Sequence, residues 1–316
     1  MNSLHKNKYP IYVISKGRAD TRFTVRSLER MNIPYRVVIE ESEYDDYNKN
    51  IAAEKILTLP TDFRENPKYA QKCEATGLLG GSIPARNFVW EHSIKEGAER
   101  HWILDDNIRE FFRFNKNRRR RVDTGATFRA CEDFVDRYKN VKMAGMNYTY
   151  FVVPSENVIY KKPYYLNSRI YSCILLSNDL DLRWRGRYNE DTDLSLRILK
   201  ERHCTMLFNA FLCGKIGTLT MKGGNTEEVY NFNADDKDYD DRYDFAKSLF
   251  DQHPDVTAIT KKFNRWHHHV DYSGFIQKPI YRDGIVPQPE LGNNEYGMVY
   301  RKPTDQEQVT IDAHWE

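Results

Sequence analysis

Short unbroken apolar runs alternate with helical periodicity along the first half of the chain. Pro10 to Ser15 (PIYVIS) and Tyr35 to Glu40 (YRVVIE) are such runs, and Asp20 to Met31 between them carries helical spacing. Strand, turn, helix and strand in that order make a βαβ unit, and strands apolar throughout belong to a sheet covered on both faces. A third short strand fits Lys55 to Leu59. Ser82 opens a helix with Pro84 in its first turn, running to about Gly97, and a strand at His101 to Leu104 then delivers Asp105, Asp106 and Asn107. Further on, the pattern predicts a helix at Thr127 to Tyr138, a strand at Val141 to Met146, and β-rich runs at Tyr148 to Val153 and Arg169 to Leu176. Glu190 to Arg202 is an amphipathic helix with acids first and bases last, as the helix dipole favours. Cys204 to Cys213 is the last strand the pattern offers, and from Gly274 the chain is rich in Pro and Gly with no period, a surface-wrapping tail. The expectation is an α/β domain with a mixed, Rossmann-type sheet flanked by helices, ligands meeting it at the carboxyl ends of the strands.

Composition sharpens this reading. The 40% hydrophobic and 13% aromatic shares exclude global disorder, and 21 Tyr with 16 Phe suit surfaces that meet rings and hydroxyls. A net charge of +2 excludes a uniformly basic nucleic-acid coat. The charge is nevertheless uneven: Arg109 to Arg121 reads REFFRFNKNRRRR, a basic loop that either grips a polyanion or is simply solvated, and Asp235 to Asp244 is densely acidic. Five cysteines without a CxxC pair argue against a disulfide framework and a cysteine zinc site, and for a reducing compartment. With neither an apolar signal core nor a membrane-length run, the expected location is the cytoplasm.

The chemistry concentrates between Gly77 and Asn107 (GLLGGSIPARNFVWEHSIKEGAERHWILDDN). A glycine loop leads into a helix bearing Arg86, and the next strand ends in an acidic cluster. That order sets an arginine beside a diphosphate and carboxylates beside a divalent cation bridging the same diphosphate, which neutralises a departing nucleoside diphosphate. Glu190 and Asp191 open a helix, where a carboxylate can accept a proton from an attacking hydroxyl; Asp191 is the chosen base. Trp184 and Arg187 just upstream offer a sugar platform and a phosphate grip. On a strand, Trp266, His268 and Val270 share one face, and His267, His269 and Asp271 the other.

These segments resemble a known group. ARN followed by WILDDN is similar to the ARN-to-DxD stretch of GT-A glycosyltransferases. IYVISKGRADT, ILDDNI, NEDTDLSLR, MKGGN and WHHHVDY together resemble the TET/JBP-associated glycosyltransferases, a largely bacteriophage-encoded group related to the base J glucosyltransferases. The resemblance covers Tyr9 to about Tyr272. It implies a GT-A-like domain over residues 1–273 (a nucleotide-binding half to about 107, an acceptor half from 108), a tail at 274–316, and host-cytoplasmic location. It also implies a metal-dependent, inverting transfer of a hexose from a UDP-sugar (glucose, galactose or N-acetylglucosamine) to hydroxymethylated pyrimidines, 5-hydroxymethylcytosine or 5-hydroxymethyluracil, in double-stranded DNA. Ser15, Lys16, Gly17, Arg18 and Arg86 fall at the nucleotide site, with Lys222 and Gly223 in a loop that closes over the diphosphate. Asp105, Asp106 and Asn107 fill the DxD position for Mn2+ or Mg2+, with Asn where the pattern has Asp, and a late ligand comes from the histidine run, where His267 and His269 are the candidates and either face of the strand could be the one at the metal. Arg118, Arg119 and Arg120 would meet DNA phosphates.

Three other readings compete. A glycosyltransferase of this type could act on a protein or small molecule. An iron/2-oxoglutarate dioxygenase would use His269 and Asp271 as an HxD pair, but only His314 follows and the helix-rich first half does not fit that fold. A non-catalytic DNA-binding module explains the arginines and leaves the acidic cluster idle.

Overall fold

A computed structural model describes residues 6–65, 81–115, 117–154, 162–186, 188–217, 223–224, 241–263 and 265–285, with two short backbone pieces at 292–293 and 299–300. The apolar N-terminal run becomes strand β1 (Ile11–Ile14), followed by helix α1 (Phe23–Arg30) and strand β2 (Arg36–Ile39). A short helix α2 (Tyr44–Asn48) leads to strand β3 (Ile56–Thr58), and helix α3 (Thr61–Glu65) precedes the longer α4 (Ile83–Lys95) and strand β4 (Arg100–Asp105). β1 pairs in parallel with both β2 and β4, and β2 with β3. This is one half of a doubly wound sheet, as the buried, continuously apolar strands predict.

Beyond β4 the sheet becomes mixed. Strands β5 (Ile108–Asn115) and β6 (Arg118–Arg121) form a hairpin, helix α5 (Ala126–Val135) follows, and β7 (Val141–Tyr148), β8 (Tyr164–Leu166) and β9 (Cys173–Ser177) come next. Helix α6 (Glu190–Lys200) then leads into the long β10 (Cys204–Lys215). Among the described residues ten strands form one sheet in the order β3-β2-β1-β4-β9-β7-β10-β5-β6, with β8 beside β10. Helix α7 (Asp241–Gln252) packs on a separate hairpin of β11 (Thr257–Lys262) and β12 (Arg265–Val270).

The core is stitched by rings and one buried acid. Trp102 of β4 meets Phe128 of α5 edge-on at 5.0 Å, and Phe111 of β5 meets it at 5.1 Å. The Glu132 carboxylate accepts from the backbone N–H of Lys8 (2.6 Å), that of Tyr9 (3.2 Å) and the Trp102 indole (2.8 Å), which fixes α5 against the start of β1. The four described cysteines are buried and free. No helix among the described residues is long and apolar enough to cross a membrane.

Four expectations need correction. The basic run is not a loop: Ile108 to Asn115 makes β5, with Ile108 and Phe111 buried, and all four residues of β6 are exposed at the sheet edge, turned by Asn117 at φ 57°. Tyr148 to Val153 is not a strand, because the Phe151 N–H donates to the Tyr148 carbonyl (3.1 Å) and closes a turn at the end of β7. Arg169 to Ser172 does not extend β9, because Ser172 takes φ 58°, a left-handed conformation that breaks the strand. The sheet also does not end the structure: α7 and the β11–β12 hairpin follow it. In the described part of the tail, Asn167 donates to the carbonyls of Phe275 and Gln277 (both 2.8 Å) and Tyr281 stacks on Tyr138 at 4.7 Å.

Candidate active site

The carboxyl ends of β1, β2 and β4 open into a cavity of about 410 Å³. Ser15, Lys16 and Arg18 enter from the turn after β1, Arg86 from the first turn of α4, and Asp105, Asp106 and Asn107 from the end of β4. Across the cavity stand Glu190 and Asp191 at the start of α6 and Lys215 at the end of β10. Residues far apart in the chain thus converge where a doubly wound sheet places its ligand.

The two aspartates are held differently. Arg86 Nη2 donates to Asp105 Oδ1 (3.2 Å), while Lys215 Nζ (2.8 Å) and Ser172 Oγ (2.7 Å) donate to Oδ2. Burial pushes the Asp105 carboxyl up, but the Lys215 and Arg86 charges outweigh it and bring it down to about 2. Asp106 accepts from Ser15 Oγ (2.9 Å) and is ion-paired with Arg18, yet burial dominates and raises its pKa. Ser172 therefore has a reason for its left-handed backbone: it turns the hydroxyl onto Asp105.

Arg86 is 5% exposed and placed by its neighbours on every side. Its Nε donates to Ser82 Oγ (3.0 Å), its guanidinium lies 4.8 Å from the centre of the Trp184 ring, and Glu190 approaches to 3.6 Å. Nη1 is buried and has no hydrogen-bond partner among the described residues. Trp184 itself is 1% exposed, so it cannot be the sugar platform; it is core, clamped by Asn87 through paired 2.9 Å bonds to its backbone. Arg187 lies outside the described residues. Glu190 also accepts from Ser82 Oγ (3.3 Å), and burial raises its pKa against the pull of Arg86.

The glycine loop expected to close over the site is partly described. Gly224 donates its N–H to the Lys16 carbonyl (2.8 Å), and Arg18 Nη2 donates to the Gly223 carbonyl (3.0 Å). Gly223 has φ 76°, and a Cβ there would sit 2.6 Å from the Gly17 carbonyl oxygen, so only glycine fits. Gly17 mates with it at φ 64° and donates its N–H to the Glu43 carboxylate. Lys222 lies outside the described residues.

A second cavity of about 420 Å³ adjoins the first and shares Phe151, Arg169 and Tyr171 with it. The β12 strand turns His268 inward to this cavity, while His267 and His269 are on the exposed face, His269 also contributing to the cavity's lining. Neither expected late ligand therefore lines the first cavity, where the acids stand. Burial, with the Arg169 charge, lowers the His268 pKa to about 4, and Asp191 partly opposes this. Among the described residues no group of three or more His, Cys, Asp or Glu is gathered. Arg118, Arg119 and Arg120 line neither cavity; Arg119 Nη1 donates to the Thr149 carbonyl (3.4 Å), beside the turn that carries Phe151. Sequence pattern does not single out Lys215, Ser172 or Arg169, although Lys215 ends an apolar strand where ligand contacts are expected.

Fold and site together define a Rossmann-type α/β protein with a cavity at the carboxyl ends of its strands lined by charges of both signs. The profile of the TET-associated glycosyltransferase family matches residues 9–224, and the chain belongs to that family. It is accordingly a glycosyltransferase. No curated protein matches the chain.

Proposed function

We propose that the protein moves a hexose from a UDP-sugar bound in the first cavity to the hydroxymethyl group of a modified pyrimidine in DNA, with inversion and with help from a divalent cation. The observation that carries the reading is the position of Asp191. It lines the first cavity while its neighbour Thr192 lines the second, and its charge acts on Lys215 on one side and on Arg169, His268 and Tyr272 on the other. A base on that boundary reaches an acceptor hydroxyl as its oxygen approaches the anomeric carbon.

Asp191 takes the hydroxyl proton as the new carbon–oxygen bond forms. The bond from the anomeric carbon to the diphosphate breaks, and UDP leaves with the electron pair. Arg86, through its spare Nη1, and Lys215 stabilise the charge that builds on the diphosphate. Glu190 and Ser82 hold Arg86 in place. A single displacement of this kind inverts the anomeric centre.

The donor set fits a hard divalent cation, since Asp105, Asp106 and Asn107 offer oxygen and Asn107 Oδ1 is buried with no hydrogen-bond partner among the described residues. These three residues would hold Mn2+ or Mg2+, which neutralises the diphosphate when bound. A cation held there would share Asp105 with Arg86 and Lys215, and Asp106 with Ser15 and Arg18.

Nucleoside mass spectrometry after incubating hydroxymethylated DNA with a panel of UDP-sugars and manganese tests the reading. A hexose mass on the modified pyrimidine is expected. UDP release without any labelled nucleoside, on DNA bearing either modified base, would point to a protein or small-molecule acceptor.

A further inference from the structure

The second cavity is walled by rings and a few polar groups. Phe151 is 58% exposed at its mouth, and the Tyr165, Tyr171 and Tyr272 rings lie around it. Phe151 packs on Tyr150 (4.6 Å), Tyr148 (5.8 Å) and Tyr171 (6.2 Å), so the exposed ring is propped from behind. Asn147 is buried and accepts from the Tyr171 hydroxyl (2.6 Å) while its amide donates to Asn209 (2.8 Å), which fixes that ring. The Arg169 guanidinium stands 4.9 Å from the Tyr171 ring centre. The His268 side chain lines the cavity. Aromatic faces with a few converging polar groups suit a flat, polar, heteroaromatic ligand.

The geometry points to this second cavity as the acceptor pocket, receiving a single pyrimidine extruded from the DNA stack, with Phe151 and Tyr272 as stacking faces and His268 and Arg169 meeting the base edge. The inference rests on the reading of the first cavity as the donor site, because the shared wall at Phe151, Arg169 and Tyr171 is what brings a substituent of the base to Asp191. Chemistry on a base substituent inside a narrow site requires the base to leave the duplex, and stacking in the pocket compensates for the lost stacking in DNA. The arginine strand β6 lies near the same mouth through the hydrogen bond from Arg119 to Thr149, on the side from which the DNA backbone would approach.

Binding of two single-stranded oligonucleotides, where no base pair has to be opened, tests this, one with a single 5-hydroxymethylcytosine and one abasic at that position. The parent should bind the first at least about tenfold more tightly, in keeping with the size of one base–aromatic stack. Phe151→Ala and Tyr272→Ala should each lose most of that preference, and Phe151→Trp should keep it. UDP binding is measured on every protein. If the parent shows no preference, or if both alanine variants retain it, the second cavity is not the acceptor pocket. If UDP binds while the preference is absent, this inference alone fails; if UDP does not bind, the donor-site reading fails with it.

Discussion

Asp191 and Asp193 stand two residues apart at the start of α6, and their surroundings give them opposite work. Asp193 is 1% exposed and saturated: Arg185, Arg197 (2.9 Å) and His253 Nε2 (2.9 Å) all converge on its carboxylate. Burial pushes its pKa up, but the His253 bond and the two arginines prevail and bring it to about 2. Asp191 opens into the first cavity, and the hydrogen bonds to its carboxylate come from its own neighbour, the Thr192 N–H (2.7 Å) and hydroxyl (3.2 Å). One acid is tied into the scaffold; the other faces the cavity, as the base role proposed for it requires.

The largest expected effect breaks the scaffold side. Asp193→Ala leaves Arg185 and Arg197 without their buried partner and should lower stability by about 3–5 kcal/mol, read by urea unfolding. Because the folded pKa of Asp193 is depressed, its stabilising contribution is present above the unfolded carboxyl range and is lost as pH falls through its folded value of about 2. The parent's melting temperature should therefore fall steeply below about pH 4, and the variant's less so.

Next comes the chemical side. Asp191→Asn should cut turnover by about a hundredfold or more, with UDP-sugar affinity and melting temperature little altered. Lost donor affinity with intact turnover would make Asp191 a binding residue instead. A smaller effect is expected where the two glycines meet: Gly223→Ala should weaken UDP binding about tenfold, or ~1.4 kcal/mol, by parting the turn from Gly17. Unchanged affinity would remove the loop from the donor site. Smallest of all, replacing Arg118, Arg119, Arg120 and Arg121 by Ser should lower the salt slope of DNA binding by roughly 0.9 for each phosphate no longer neutralised, with stability nearly unchanged because the strand is exposed. An unaltered slope would leave β6 as an edge strand whose charges only prevent edge pairing.

Much of the fold and site is legible in the sequence where chemistry and local pattern coincide. The β1-α1-β2 unit, Pro84 in the first turn of α4, Asp105 and Asp106 at a strand end, and Glu190 and Asp191 at a helix start all follow from spacing alone. What sequence conceals depends on tertiary neighbours. Trp184 looks like a platform beside a motif, but Asn87, remote in the chain, clamps it into the core. The His267–His269 run divides by strand parity, and only packing of β12 against the body decides that His268 faces in. Lys215 and Ser172 meet Asp105 from remote parts of the chain, Ser172 through a left-handed backbone that no apolar period signals.

Everything proposed for the donor depends on the first cavity being a nucleoside-diphosphate site built around Arg86. Calorimetric titration of UDP, with manganese present, into the parent and into Arg86→Gln decides this. A saturable site is expected in the parent and binding at least about tenfold weaker in the variant, since a buried donor to the diphosphate is removed. No UDP binding by the folded parent, or equal binding by both proteins, would contradict it.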